Sequence, residues 1–254
     1  MGSILNYFLG KLRATFRFLF FLLLTMATII KLLLFALIGK LNLERGLGIR
    51  KQWANSVLRL LNVQIQTRRK KDYENVVYIS NHRSYLDPII KLSQVNTLVL
   101  AKKEVSYWPL IGYGMKLTGS YFVKREQKDS RKEARDNIAK TVKEGHSILL
   151  YPEGTTTILP TTLPFKPRTF HMAAENQIKI VPVAIEYQDQ AVAFIGDDTF
   201  LPHFFKVFAK PKIVGIIDYG TPIWSEDGEK LRQACQDWVH AKLQEIRPEL
   251  GLKN

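Results

Sequence analysis

The first apolar run in the chain is nearly unbroken. From Phe18 to Ile38 it reads FLFFLLLTMATIIKLLLFALI, with Lys31 as its sole charge. A helix of that length, at ~1.5 Å per residue, just crosses a ~30 Å hydrocarbon core, while Lys31 divides it into two shorter runs of the kind that lie at an interface. Polar positions do not recur along it at helical spacing, basic residues flank it on both sides, and no small-x-small cleavage pattern follows it. These features predict a membrane-associated helical segment over residues 1–50, spanning the bilayer or lying in one leaflet, ahead of a catalytic-sized domain over 51–254.

Beyond it the periodicity shortens and alternates. Trp53, Val57, Leu60 and Leu61 recur at helical spacing, so KQWANSVLRLLNVQIQ reads as a helix leading into the domain. Val76 to Ser80 is a β-branched and aromatic run typical of a buried strand, and further strands are expected at Asn96–Lys102, Ser120–Lys124, SILLYP, IKIVPVAIEY and KIVGIIDYG. Between them, a helix is expected from Pro88. Ala134, Ile138 and Val142 form the stripe of another that Gly145 stops. A last amphipathic helix runs from Ser225 as N-cap to Arg247. Strands separated by helices indicate an α/β fold, a largely parallel mixed sheet flanked by helices.

Charge narrows the partners without choosing one. With 37 Lys+Arg against 23 Asp+Glu the net charge is +14, which calls for nucleic acid, an anionic membrane surface or a phosphorylated substrate. Residues 102–143 hold much of the excess, but no recognisable nucleic-acid module accompanies it. The basic run Arg68 to Lys71 reads equally as a solvated turn or a contact with lipid headgroups. Phe200, Phe204, Phe205 and Phe208, interleaved with Lys206 and Lys210, fit either a membrane contact or packing on the sheet. The single cysteine, Cys235, excludes an intrachain disulfide and reads as a core residue. The histidines at 146, 171, 203 and 240 have no metal-ligand spacing, so no metal is expected.

The segment Asn81-His82-Arg83-Ser84-Tyr85-Leu86-Asp87-Pro88 carries the candidate chemistry. In a regular helix, residues five apart differ by about 500°, which would put His82 and Asp87 on different faces. Pro88 disfavours the helical conformation at Asp87 and suits the first helical position itself. A turn over 82–87 is therefore expected, able to fold the carboxylate back onto the imidazole. A carboxylate at one ring nitrogen fixes the tautomer and leaves the other nitrogen to take a proton, so His82 is a candidate general base. The bland alternative is that Asp87 and Pro88 merely form an N-cap and N1 pair.

Asn-His-x-Ser-x-x-Asp closely resembles the signature block of the glycerolipid acyltransferases, the family that includes lysophosphatidic acid acyltransferases. Three further stretches follow in that family's order. Gly119 to Arg125 resembles its second block, Tyr151-Pro152-Glu153-Gly154-Thr155 its third, and Val181-Pro182-Val183 its fourth. The resemblance implies an O-acyltransferase that moves a fatty acyl chain from acyl-CoA or acyl carrier protein (ACP) to the free hydroxyl of a lysolipid. It implies His82 and Asp87 as the catalytic pair, with Lys124, Arg125, Glu153, Gly154, Thr155, Lys166 and Arg168 on the acceptor. It also implies no metal or prosthetic group, a membrane location with the domain on the cytoplasmic side, and lysolipid, acyl donor and membrane lipids rather than nucleic acid as partners. Two positions depart from the pattern. Thr156-Thr157 stands where the third block continues with Arg and Ser, and Phe165-Lys166-Pro167-Arg168 has Arg in place of a Gly. The expected acceptor is 1-acylglycerol-3-phosphate. The Thr-rich block also looks like those of lysophospholipid and lyso-ornithine lipid acyltransferases, and Gly196 to Phe208 looks like the latter group. Rival classes are a membrane-anchored nucleic-acid-binding protein and a lipid-binding protein without catalysis.

Overall fold

The structure, a computed structural model, describes residues 2–124 and 127–253; Arg125, expected at the acceptor, lies outside the described residues. Two helices, α1 (Gly2–Leu37) and α2 (Leu43–Leu60), lead into β1 (Val63–Arg68), β2 (Val76–Ser80), α3 (Leu86–Gln94), β3 (Thr97–Lys102), α4 (Ile111–Leu117) and β4 (Tyr121–Val123). They are followed by α5 (Lys128–Lys143), β5 (Ser147–Leu150), α6 (Arg168–Glu175), β6 (Lys179–Tyr187), α7 (Phe200–Phe208), β7 (Ile213–Tyr219) and α8 (Gly228–Glu249). The strands form one sheet in the order β1-β7-β6-β2-β5-β3-β4. All neighbours are parallel except β6 and β7, so the sheet is mixed and largely parallel, as the sequence suggested.

Burial on both faces explains why the central strands read as continuous apolar runs rather than alternating ones. On one face Tyr78, Val181, Ile185 and Tyr187 pack with Ala54 and Val57 of α2, Leu86 and Ile90 of α3, and Phe204 and Phe208 of α7. On the other, Val77, Ile79, Ile148 and Ile180 meet Ile138 of α5, Phe170 of α6 and the stripe Leu231, Cys235, Val239 and Leu243 of α8. Cys235 is thus a core residue. Phe204 and Phe208 are core residues too, with Phe200 and Phe205 packed against them; the sheet-packing reading of that segment is the one the fold adopts.

Several boundaries differ from the sequence reading. The helix expected through Gln66 ends at Leu60, and Val63–Arg68 forms an edge strand beside β7. Asn62, at φ 53°, makes the turn between them. Helix α3 begins two residues before Pro88, and α8 takes Asp227 rather than Ser225 as its N-cap, with Pro248 in its last turn. In the basic run, Arg68 pairs with Glu249, Arg69 with Asp218 and Lys70 with Asp72, so those three charges are engaged within the protein.

Helix α1 is about 54 Å long at ~1.5 Å per residue. Ala14, Arg17, Phe21, Thr25, Ile29 and Leu32 form its buried stripe. Arg17 donates to the carbonyls of Phe208 and Pro211 past the end of α7, and the Trp53 indole of α2 donates to Thr25 Oγ1 at 3.1 Å. Leu12, Phe16, Leu19, Leu23, Met26, Ile30, Leu34 and Leu37 face outward, an exposed apolar surface along a helix long and apolar enough to cross a membrane. The boundary expected at residue 50 falls inside α2, where the buried Arg50 side chain donates to the Thr97 carbonyl.

Because β2, β3, β4, β5 and β6 run parallel, their carboxyl ends share one edge of the sheet. That edge holds the site.

Candidate active site

The chain leaving β2 is fixed residue by residue. Asn81 is fully buried; its side-chain amide donates to the Ile185 carbonyl at 2.9 Å and its Oδ1 accepts the Ile185 N–H at 2.8 Å, clamping the strand end to β6. The His82 N–H donates to Glu153 Oε1 at 2.7 Å, and the His82 carbonyl accepts the Thr157 N–H at 3.0 Å. Both main-chain groups of His82 are thereby held by the loop after β5. Arg83 reaches inward, donating to the Thr157 carbonyl at 3.1 Å and pairing with the buried Glu186 at 3.0 Å. Arg247 of α8 holds the same carboxylate at 2.9 Å.

The turn expected between His82 and Asp87 is present. Asp87 lies in the first turn of α3, wholly buried, with its carboxylate folded back over residues 82–84. Asp87 Oδ2 accepts the N–H groups of Arg83 at 2.6 Å and Ser84 at 2.9 Å and lies 2.7 Å from His82 Nδ1. The Tyr187 hydroxyl donates to Oδ1 at 2.6 Å. The carboxylate therefore caps the preceding turn rather than its own helix. Burial alone pushes such a carboxyl up; the His82 hydrogen bond and charge, the Lys91 ammonium and the Tyr187 hydroxyl outweigh it and hold Asp87 below its usual range. With Nδ1–H donating to a carboxylate, the His82 Nε2 lone pair is left to accept a proton. The imidazole is about one-fifth exposed, 21% by side chain, and stacks on the Tyr151 ring at 4.0 Å between centroids.

The other expected site residues divide into two groups. Glu153 is turned inward: its second oxygen accepts the Leu163 N–H at 2.8 Å, so both oxygens are bonded to main-chain amides of this protein. This departs from the expectation of a group facing the acceptor; burial pushes its carboxyl up to about 7 against those two bonds. Gly154, at φ +75°, turns the chain, and the Lys166 side chain lies in the space a Cβ would fill. Thr155, Lys166 and Arg168 are exposed, Arg168 as the first residue of α6. Lys124 is exposed just past β4, three strand positions from β2, or about 14 Å at ~4.8 Å per strand. Thr156, which replaces the family's Arg, donates its hydroxyl to the Phe194 carbonyl.

Three residues of the pocket escaped the sequence reading. Tyr187 needed the register of β6 against β2 to be placed beside Asp87. Tyr151 stands at the head of the third block, where the sequence alone gives it no role. Lys91 carried a legible signal, since it follows Asp87 by four residues on a helix and so shares its face.

The family model described as Acyltransferase matches residues 61–186, a span that includes His82, Asp87, Lys91, Tyr151 and Glu153. The chain belongs to the acyltransferase family. Among its relatives, this acyltransferase is 29% identical over 196 residues to the lyso-ornithine lipid O-acyltransferase of Pseudomonas aeruginosa, covering 74% of this chain and 76% of that one. It is 34% identical over 167 residues to the 1-acyl-sn-glycerol-3-phosphate acyltransferase of Saccharomyces cerevisiae, covering 62% and 54%. The fold matches that of the 1-acyl-sn-glycerophosphate acyltransferase PlsC of Thermotoga maritima with a TM-score of 0.63 at 18% identity, covering 90% of this chain and 97% of that one. The protein is a glycerolipid-type O-acyltransferase, and its acceptor is a lysolipid.

Proposed function

We propose that this enzyme acylates 1-acylglycerol-3-phosphate with a fatty acyl thioester, carried by coenzyme A or acyl carrier protein, using His82 as the general base. The observation that supports this reading is the His82–Asp87 contact at 2.7 Å, with Nε2 left available on a partly exposed ring. Nε2 takes the proton of the acceptor hydroxyl as the oxygen attacks the thioester carbonyl. The tetrahedral intermediate collapses with cleavage of the C–S bond, and the imidazolium returns its proton to the departing thiolate. Asp87 holds the tautomer and stabilises the transient imidazolium. An acyl-enzyme is unnecessary, because the thioester is already activated. Lys166 and Arg168, with Lys124 further along the sheet edge, supply cations for the acceptor's phosphate. Glu153 acts by bracing the His82 and Leu163 amides. The exposed face of α1 seats the protein on membrane lipid, with the domain on the cytoplasmic side as the basic residues after the apolar run suggest.

A second acceptor is favoured by one observation. Thr156 occupies the position of the family's Arg and commits its hydroxyl to Phe194, which removes a guanidinium from the phosphate site. An amino-acid-based lysolipid such as lyso-ornithine lipid needs no phosphate clamp. Labelled acyl transfer by the purified, detergent-solubilised protein, with acyl-CoA and acyl-ACP donors and both acceptors, separates the two. Product from 1-acylglycerol-3-phosphate, reduced by about 10³-fold or more in His82→Ala, is the expected result. Product from lyso-ornithine lipid alone replaces the acceptor assignment, and a His82→Ala rate within tenfold of wild type overturns the mechanism.

A further inference from the structure

Lys91 is a buried cation with no hydrogen-bond partner. Its side chain is almost fully enclosed, 1% exposed for the residue, and its ammonium makes no hydrogen bond among the described residues. Such a group is costly to keep unless its charge has a use. Its position suggests the use. It stands one helical turn after Asp87, and side chains on a helix lean back toward its N-terminus, so the lysine lies toward the carboxylate. It also sits 5.0 Å from the centroid of the Tyr151 ring, which stacks at 4.0 Å on the imidazole. The Tyr151 hydroxyl is itself buried and lacks a hydrogen-bond partner among the described residues, so the ring is located by its two neighbours and by packing.

We propose that Lys91 is a positioning residue of the catalytic pair: its ammonium offsets the Asp87 charge while His82 is the free base, and it seats the Tyr151 ring against the imidazole. This rests on the reading of His82 as base. With Asp87 ionised and His82 neutral, the pocket carries no net charge because of Lys91. When His82 takes the acceptor's proton the pocket becomes cationic, which favours early return of that proton to the leaving thiolate. Without the lysine, the carboxylate would act on the imidazole unopposed and hold it protonated to higher pH. The ammonium is itself weakened: burial lowers Lys91 to about 8, and Asp87 limits the fall, so it is charged at neutral pH.

Other ionisable groups face this cluster. Asp87 is on the same helix, Tyr151 and Glu153 follow β5, Tyr187 is on β6 and Tyr219 on β7, while Arg83 shares the Glu186 carboxylate with Arg247. Burial holds the three tyrosines protonated throughout the working range. Glu153 is the one that titrates near the same pH as the reaction, so it must be controlled for.

The test is the pH profile of kcat/KM for acyl transfer in Lys91→Met, Lys91→Gln and Lys91→Arg, each also made on a Glu153→Gln background. At the ~9 Å upper separation set by the two ring distances, loss of one charge moves the acid limb upward by about one pH unit. Both neutral variants should show this shift on either background, and Lys91→Arg should return the limb to its wild-type place. Folded neutral variants with an unmoved limb overturn the proposal while leaving His82 as base intact; full activity in His82→Ala would instead sink the reading beneath it.

Discussion

The inner half of the site and its outer rim are built on opposite terms. Around Asp87 each carboxylate oxygen is used, by two backbone amides, an imidazole and a tyrosine hydroxyl, and the residues that supply them are clamped in turn. At the rim, Lys124, Lys166 and Arg168 are exposed, and they extend from loops and element ends rather than from strand interiors. The difference matters because the two halves serve different needs. Proton transfer depends on a fixed distance and tautomer, which only a preorganised pocket supplies. Headgroup recognition tolerates side chains that order on binding, and it is the part that distinguishes one lysolipid from another. Under the proposed function, reaction type and acceptor choice reside in separate parts of one sheet edge.

The largest expected effect breaks the inner half. Asp87→Asn keeps the shape of the side chain but removes its charge and can present an amide N–H to His82 Nδ1, favouring the tautomer that places the proton on Nε2. We expect kcat to fall about 10³-fold or more with acceptor KM little changed, measured by initial rates of labelled transfer. Tyr187→Phe leaves the carboxylate charged and bound to two amides, and it should cost about tenfold, the value of one charge-assisted hydrogen bond. Equal losses in the two variants would show that the charge on Asp87 is not what matters.

The rim should respond in the other parameter. Removing Lys166 and Arg168 together, as a double Ala variant, should raise the KM for a phosphate-bearing lysolipid about tenfold or more while kcat stays within a few-fold. The same variant should show a weaker dependence of KM on salt. A fall in kcat with KM unchanged would place these cations in the transition state and erase the distinction between pocket and rim.

How far the sequence revealed each half follows from the range of the contacts involved. The alternation of strands and helices was readable because central strands of a parallel sheet are buried on both faces and so carry their own signature. Asp87 could be placed opposite His82 from five residues of local geometry and Pro88. Tyr187 could not, since it lies 100 residues from Asp87 and reaches it only through the parallel register of β2 and β6. The edge strand β1 was read as helix because Val63 and Ile65 alternate with exposed residues over too short a stretch to outweigh the helical spacing just before it. Glu153 was read as facing the ligand, because sequence shows that a carboxylate is present but not that two amides await it. The strand–helix order and the His82–Asp87 contact are local facts, whereas the bracing around them is assembled from distant segments.

Glu153 gives the smallest effect and the finest probe of where the pocket ends. Burial raises its carboxyl to about 7 in the folded protein against an ordinary value of 4.5, so between those limits the folded state binds more protons than the unfolded one. The sign follows from that difference: the contribution to stability is fully present below about pH 4.5 and is lost as pH rises through 7. The linked change is about 3 kcal/mol at most. Unfolding of the detergent-solubilised protein, followed by circular dichroism from pH 4.5 to 8, should show a stability difference between wild type and Glu153→Gln that varies across this window and levels off above it. Activity of the variant should fall only a few-fold, because the glutamine oxygen can still accept the His82 N–H. A difference independent of pH would mean that the carboxylate is solvated and that the boundary of the rigid pocket lies inside Glu153, at His82 itself.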